Sequence, residues 1–267
     1  MRAFRTIPAW LHFTVIHLNP APMRNNRLFL LLILALALPV GGCATQRDAS
    51  WFGFYEKPDP LEKYNRTMTH FNLKVDKKVI RPVANAYVNT VPAGARDSIS
   101  NFFSNLTEPT VIVNDVLQAK FEQALADSWR FVLNSTVGIL GFYDVSTRLG
   151  LEKHQEDFGQ TFAVWGLKEG PYLVLPLLGP SNVRDTLGLV TQLYYTEPRQ
   201  LIDDRAIRYS LFATDLISRR AQLIGPDELI TDDSDPYLLL REAYHQKRES
   251  LIYDGEPPIN YEYDYEE

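Results

Sequence analysis

Apolar residues recur with helical spacing along most of the chain. After Asp59 and Pro60, the first stripe comprises Leu61, Tyr64, Met68, Phe71, Val75 and Val79. Spacings of three and four residues predict one apolar face of an amphipathic helix. Asp59 suits the N-cap, Pro60 the first helical position and Glu62 the partner in a capping box. We therefore predict that this helix starts at residues 59–62.

Comparable stripes predict further helices. They are expected at 93–104, from Glu108-Pro109 through Leu117, on the stripe Phe121, Leu125, Trp129 and Val132, and at 157–165, 181–194, 206–223 and 237–252. Arg81-Pro82 and Val91-Pro92 should interrupt them, because proline restricts the preceding residue. Neither a sustained alternating pattern nor a fixed-period repeat competes. The sequence predicts a mainly α-helical domain rather than a solenoid.

Two apolar segments do not fit a plain helical bundle. Residues 136–143 contain Gly138 and Gly141, too much glycine for a stable helix. We expect a hairpin of two short helical or extended arms there. Residues 170–180 are similar, and their prolines should prevent regular structure. Each segment is either a buried core connection or apolar surface that contacts lipid.

The N-terminal region has the pattern of a bacterial lipoprotein signal. Arg24 and Arg27 precede an uncharged apolar run at residues 28–40, and Gly41, Gly42 and Cys43 follow. The run is shorter than the ~20 residues of a membrane span. We predict cleavage after Gly42 and a diacylglycerol thioether on Cys43, since a thiol is nucleophilic enough to accept one.

The processed chain should be held permanently at a membrane. Met23 opens the signal cleanly, so residues 1–22 are predicted to be a mis-annotated start. Ala44 follows the cysteine where inner-membrane lipoproteins carry Asp, which predicts the periplasmic leaflet of the outer membrane. Several acyl chains anchor far more strongly than one. The predicted divisions are 1–42 signal, 43–58 acylated linker, 59–252 helical domain and 253–267 disordered acidic tail.

Charge excludes one class of partner. The signal removes four of the 27 basic residues and none of the 33 acidic ones, which leaves a net charge of −10. Nucleic acid binding needs clustered positive charge, so we expect no nucleic acid partner.

The processed chain carries few of the side chains that enzymes and metal sites need. His70, His154 and His245 remain, without metal-binding spacing or a nucleophile motif nearby. Glu152, Glu156 and Asp157 surround His154 and are expected to form a solvated turn. We predict neither an enzyme nor a metal or cofactor site; phospholipid would be a transported ligand.

Motifs in a fixed order carry a family resemblance. They begin with Asp59-Pro-Leu-Glu-Lys-Tyr-Asn-Arg66 and continue at residues 91–96, 100–109, 114–118, 131–145, 158–161, 170–176, 179–185 and 234–244. Together they resemble the MlaA/VacJ family of phospholipid-binding outer-membrane lipoproteins. The departures are the 22-residue leader and the Tyr/Glu-rich tail.

The resemblance implies a flat, ring-like helical protein in the inner leaflet, with an amphipathic central channel beside a trimeric porin. Misplaced phospholipids would leave the outer leaflet through it for a soluble periplasmic carrier of the Mla pathway, which preserves lipid asymmetry. The family's glycine-spaced hairpin at the channel maps onto Gly138, Ile139, Leu140, Gly141, Phe142 and Tyr143.

A channel suggests roles for particular residues. Asn65, Asn72 and Asp76 form a polar row beside the first stripe, which is either a solvated helix edge or part of a polar channel wall. Gly138 and Gly141 would let the hairpin flex as a gate. On that hypothesis, Gly141→Val alters transport and leaves the helical fold intact.

Two other functions stay open. A structural lipoprotein could scaffold a β-barrel or an envelope assembly without moving lipid, with the apolar hairpin packed in a protein interface. A periplasmic lipid hydrolase would need a nucleophile beside His70, His154 or His245, which histidine-to-alanine changes would test.

Overall fold

The structure, a computed structural model, describes residues 59–225 and 235–258. The signal, Gly42, Cys43, the linker to residue 58 and residues 259–267 lie outside these ranges. The domain is mainly helical, as predicted. Its helices are α1 (Glu62–Val75), α2 (Arg81–Thr90), α3 (Ala93–Leu117), α4 (Phe121–Thr136), α5 (Val145–Arg148), α6 (Phe158–Val164), α7 (Val183–Tyr195), α8 (Arg205–Gln222) and α9 (Pro236–Ile252).

The first two helices form one continuous helical rod. A π-helical turn, Asp76–Ile80, joins α1 to α2, and Pro82 follows within the first turn of α2. The predicted interruption at Arg81-Pro82 is therefore wrong. The π-helical turn shifts the helical register at this point. The helix that follows it contains Pro82 in its first turn, and proline has no N–H to donate to a backbone hydrogen bond.

The predicted capping box at the start of α1 does not form. Leu61 is the N-cap residue, and no side chain caps the helix. The carboxylate of Asp59 instead accepts a hydrogen bond from the Leu61 N–H at 2.8 Å and contacts the Asn65 amide and the Tyr237 hydroxyl. Asp59 therefore ties the start of α1 to α9 rather than capping it.

Residues 93–117 form a single helix where two were expected. Pro109 lies inside α3. Proline usually breaks a helix interior because it lacks an N–H and crowds the preceding turn. Here α3 packs along α4 and also contacts α6 and α8, so tertiary packing holds the helix together through the proline.

The later helices match the prediction to within two residues at either end. Asp157 caps α6 through the Gln160 N–H at 2.9 Å, and Asp235 caps α9 through the Tyr237 N–H at 3.0 Å. The Arg248 guanidinium then pairs with Asp157 at 2.6 Å. Asp157 thus caps the N-terminus of α6 and also links α6 to α9 through its ion pair with Arg248.

Residues 170–180 contain regular structure, contrary to the prediction. Tyr172–Leu175 (β1) and Gly179–Asn182 (β2) pair as an antiparallel hairpin. Pro180 pairs opposite Val174, and an isolated two-stranded ribbon has the free edges on which proline is tolerated. The strand β1 is buried, whereas Leu177 and Leu178 at the tip are exposed. One segment thus combines a core connection with apolar surface.

Two residues that were placed at the start of the predicted acidic tail contact the helical domain. The Asp254 carboxylate pairs with the Lys120 ammonium at 2.6 Å, and the backbone N–H of Tyr253 continues a helical hydrogen bond to Glu249. These residues close α9 against the loop before α4.

Candidate functional site

Residues 137–143, between α4 and α5, form a tight turn that we call the apolar turn. It contains neither helix nor strand, so the predicted two-armed hairpin is wrong in that respect. The Gly141 N–H donates to the Asn134 carbonyl at 2.7 Å, and the Tyr143 N–H donates to the Gly138 carbonyl at 2.9 Å. These bonds fold the segment back on the end of α4.

The side chains of the apolar turn face outward. Leu140 is 64 % exposed, and the other exposed side chains are Val137, Ile139, Phe142 and Tyr143. Contiguous apolar surface of this kind usually contacts lipid or protein rather than water. This segment is therefore exposed apolar surface and not a buried core connection.

The two glycines of the turn are buried and tightly enclosed. A Cβ atom on Gly138 would lie 2.5 Å from the Asn134 carbonyl oxygen, and one on Gly141 would lie 2.7 Å from Asn105 Cγ. Gly141 also has φ +90°, where other residues are strained. Close packing therefore explains these glycines. The enclosed position of Gly141 argues against the expectation that Gly141→Val leaves the fold intact.

Hydrogen bonds to Asn134 and Asp144 fix the base of the apolar turn. Asn134 Oδ1 accepts from the backbone N–H groups of Val145 and Ser146 at 2.9 and 3.0 Å. Asp144 caps α5 by accepting from the Thr147 N–H at 3.1 Å. The turn thus presents its apolar side chains from a fixed base.

The predicted polar row holds the β-hairpin in place. Asn65 has no exposed surface, donates to the Tyr172 carbonyl at 2.9 Å and accepts from the Val174 N–H at 2.8 Å. Asn72 likewise joins α1 to the end of the hairpin. A wholly buried Asn65 is neither a solvated edge nor part of a channel wall, so both interpretations are wrong for it.

Asp76, the third member of that row, pairs with a cation across the domain. Its carboxylate accepts from Arg220 Nε at 2.7 Å and from Nη2 at 3.0 Å. Asp76 and Asn72 are both partly exposed, and their place in a channel wall stays a prediction.

Polar residues of α3 and α4 enclose a small cavity of about 30 Å³, here called the polar pocket. Its lining residues are Asn101, Ser104, Asn105, Glu108, Arg130, Asn134, Asp144 and Lys153. Sequence reasoning missed this site. Its signal is a second periodicity, opposite the apolar stripe, with Asn101, Asn105 and Glu108 on α3 and Arg130 and Asn134 on α4.

Several buried atoms of the polar pocket have no hydrogen-bond partner. They are Asn105 Oδ1, Glu108 Oε1 and Arg130 Nε, and the last two lie 3.5 Å apart. Burial and the nearby charge of Asp127 raise the pKa of Glu108 to about 7, against the opposing effect of Arg130 and Lys153. An orphaned buried polar atom costs free energy, which suggests a ligand site.

Beyond the pocket, the expected solvated turn around His154 is solvated only in part, since Glu152 is exposed whereas Glu156 is not. Glu156 is buried and pairs with Lys120 at 2.8 Å. His154 Nδ1 lies 2.9 Å from Asp127 Oδ2. Burial and the adjacent Asp127 carboxyl raise the pKa of Asp115. In the part of the chain that the structure describes, no group of His, Cys, Asp and Glu could hold a metal ion.

The helix α4 has its apolar face outward and its polar face inward. Its apolar stripe faces outward, with exposures of 65, 62, 55 and 46 % for Phe121, Leu125, Trp129 and Val132. Its opposite face buries Ala124, Asp127, Arg130 and Asn134. A water-soluble helix normally has the reverse arrangement. Within the ranges described, no helix combines the length and apolar character needed to cross a membrane.

Comparison with known proteins places this arrangement in a family. The profile of the MlaA lipoprotein family matches residues 57–251. The chain belongs to the MlaA lipoprotein family. The match covers the apolar turn, the polar pocket and the β-hairpin together.

Named members of the MlaA family match this chain over most of its length. The Escherichia coli intermembrane phospholipid transport system lipoprotein MlaA is 37 % identical over 229 residues, 84 % of this chain and 88 % of its own. Its Haemophilus influenzae counterpart is 31 % identical over 240 residues, 87 % and 93 % of the two chains.

A solved MlaA-family structure has the same fold. Described as the structural basis for maintenance of bacterial outer membrane lipid asymmetry, it matches with a TM-score of 0.66 and 36 % identity. It covers 73 % of this chain and 100 % of its own.

Proposed function

We propose that this protein is an outer-membrane lipoprotein that removes mislocalised phospholipids from the outer leaflet and thereby maintains lipid asymmetry. The observation that carries the proposal is the reversed polarity of α4, with Trp129 outside and Arg130 inside. Membership of a family whose named relatives transport phospholipid supports it.

The reversed polarity provides a physical route for a phospholipid. Moving a charged headgroup through acyl chains is very costly when the charge is unpaired. Polar groups on the inner faces of α3 and α4 would receive the headgroup, while the acyl chains stay against apolar surface. Such a step needs neither a covalent intermediate nor a nucleotide, so we propose a transporter rather than an enzyme.

We propose that the polar pocket belongs to the wall of a central channel in a ring-like domain. The pocket lies beside the apolar turn, since Asn105 lines the pocket and packs against Gly141. The turn would then border the channel mouth by its exposed side chains. Because its glycines are enclosed, any gating motion would move the turn as a unit from its base at Asn134 and Asp144.

The proposal includes an anchor and partners. Acylation of Cys43 would hold the domain in the periplasmic leaflet, and cleavage after Gly42 would free the cysteine. A trimeric porin would contact the outward apolar surface. A soluble periplasmic carrier of the Mla pathway would receive the lipid. The net charge of −10 expected after cleavage disfavours nucleic acid as a further partner.

Surface-exposed phospholipid in living cells tests this function. We expect the amount in the outer leaflet to rise when the gene is deleted and to return to normal with the wild-type gene. A Cys43→Ala copy, produced at the same level, should not restore it because the domain loses its anchor. The absence of a rise on deletion would contradict lipid removal.

The scaffold alternative predicts a different outcome. A structural lipoprotein would leave surface phospholipid unchanged on deletion while altering the assembly that it supports. The exposed apolar turn would then be buried against protein, and no phospholipid would co-purify.

A further inference from the structure

The unpartnered atoms of the polar pocket indicate what kind of group it accepts. Asn105 Oδ1 and Glu108 Oε1 are buried acceptors without a donor. The facing Arg130 Nε is 3.5 Å from Glu108 and is also unpartnered by hydrogen-bond geometry. A ligand group that satisfies both oxygens must donate hydrogen bonds.

We propose that the polar pocket binds the primary ammonium of an ethanolamine phospholipid headgroup, with Glu108 and Asn105 as acceptors. Lys153, exposed on the pocket lining, contacts the adjoining phosphate. This inference rests on the proposed function and names the substrate class that the site prefers.

The size of the pocket selects among headgroups. A cavity of about 30 Å³ holds roughly one or two water-sized groups. A primary ammonium is of that size and carries three N–H donors. The trimethylammonium of choline is larger and has no N–H group. Glycerol can donate hydrogen bonds but brings no positive charge to Glu108.

Two acids and two cations line the pocket, and they leave Glu108 without a cation of its own. The Arg130 guanidinium already faces Asp144 at 3.4 Å and donates to the Leu151 carbonyl. Glu108 therefore shares its nearest cation, while the Asp127 charge and burial raise its pKa. A ligand ammonium would offset that burial, and Lys153 would remain for the phosphate.

The neighbouring surface suits the rest of the lipid. The apolar turn packs on the pocket through Gly141 and Asn105, and Phe142 stacks on Phe102 of α3 at a ring distance of 5.1 Å. Acyl chains that leave the pocket would therefore meet exposed Ile139 and Leu140. A headgroup pocket beside apolar surface matches an amphiphilic ligand.

A methylation series tests the headgroup preference without any mutation. The acylated full-length protein in detergent micelles is titrated with dihexanoyl phosphatidylethanolamine, its N-methyl and N,N-dimethyl forms, and phosphatidylcholine, followed by isothermal titration calorimetry. Affinity should fall with each methyl group, by about tenfold or more across the series, since charged hydrogen bonds are lost. Equal affinity for all four lipids, or no binding of any, would overturn the proposal.

Variants assign the preference to the pocket. Glu108→Gln should weaken binding of phosphatidylethanolamine and leave phosphatidylcholine binding unchanged, which removes the discrimination. Lys153→Gln should weaken both lipids alike. Glu122→Gln, an exposed acid on α4, is the matched control and should behave as wild type. Unchanged discrimination in Glu108→Gln would contradict the assignment.

Two further measurements distinguish a failure of the proposed headgroup preference from a failure of the proposed function. Water-soluble glycerophosphoethanolamine should bind much more weakly than the lipid; equal binding would identify a soluble amine as the ligand. In cells that lack the gene, a surface rise of all headgroups alike would contradict the preference but keep lipid removal. If no phospholipid of any kind rises, the proposed function fails, whatever the titrations give.

Discussion

The apolar turn requires glycine because there is no room for a side chain, and not because its backbone must be flexible. Gly141 combines φ +90° with contact to the side chain of Asn105. Gly150 has a comparable φ of +83° but open space around it. The pair therefore separates the conformational cost of a side chain from the cost of steric overlap.

We predict that Gly141→Ala destabilises the domain more than Gly150→Ala does. Each change should cost about 1–2 kcal/mol because alanine resists positive φ, and Gly141→Ala should cost more because Asn105 must move. Thermal unfolding in detergent, followed by circular dichroism, measures the difference. Equal melting temperatures for the two variants would show that the turn is not closely packed there.

Asn65 was expected at a surface and lies at a structural joint. Asn65→Ala should lower the free energy of unfolding by about 2–4 kcal/mol, because buried backbone groups of β1 lose their partners. Asn89→Ala, at an exposed position on α2, should change it little. Denaturant titration measures both. A change below about 0.5 kcal/mol for Asn65→Ala, the usual size at an uninvolved surface position, would contradict the assigned role.

At the scale of elements, α4 shows the polarity reversal most clearly. Leu125 is exposed, whereas Asp127 is fully buried and contacts His154 at 2.9 Å. In a soluble bundle, replacing the leucine with a polar residue would be the damaging change. In this domain, we expect replacement of the buried Asp127 to be more damaging than replacement of the exposed Leu125.

We predict that Leu125→Gln leaves unfolding in detergent nearly unchanged, whereas Asp127→Leu destabilises the domain by a few kcal/mol because buried partners lose their acceptor. Leu125→Gln should still weaken partition into phospholipid vesicles, since it removes outward apolar surface. Parallel unfolding and vesicle flotation measurements check both effects. Greater instability of Leu125→Gln than of Asp127→Leu would contradict the reversed polarity.

The sequence predicted where the helices lie along the chain better than it predicted which of their faces are buried. The stripe Phe121, Leu125, Trp129 and Val132 located α4 correctly, because periodicity depends only on local geometry. It did not reveal which face is buried, since that depends on the solvent. The continuity of α3 through Pro109 and the β-hairpin at residues 172–182 depend on tertiary contacts that no local pattern encodes.

At the scale of the molecule, the interior buries both carboxylates and arginines, and at two of the carboxylates the effect of burial exceeds that of the nearby cations. Burial, reinforced by Asp127, raises the pKa of both Glu108 and Asp115. The groups that face Glu108 are Asp127, Arg130 and Lys153, and those that face Asp115 are Asp127, Glu156 and Lys120. A raised carboxyl pKa means that the folded state binds protons more tightly than the unfolded chain.

Stability should therefore fall as the pH rises from about 4.5, the ordinary value for glutamate, through about 7, where Glu108 ionises in the fold. We expect the melting temperature in detergent to decrease across this range. The double variant Glu108→Gln/Asp115→Asn should flatten the decrease. A wild-type melting temperature that rises with pH over this interval would contradict the assignment.

The site was only partly predictable from sequence. The apolar turn was located through its glycine spacing and unusual composition. The polar pocket was missed because its residues occupy separate helices, and their convergence depends on how α3 packs on α4. Asn65, Asn72 and Asp76 were chosen because they share one helix face, yet Asn65 and Asn72 bond the hairpin that the sequence did not predict.

The most direct test of this account is the environment of Trp129. A variant with Trp51→Phe and Trp165→Phe leaves Trp129 as the fluorophore of the processed protein. After reconstitution in vesicles with brominated acyl chains, we expect strong quenching of Trp129 and little effect of aqueous acrylamide. Efficient acrylamide quenching without bromine quenching would place this face of α4 in water and contradict the account.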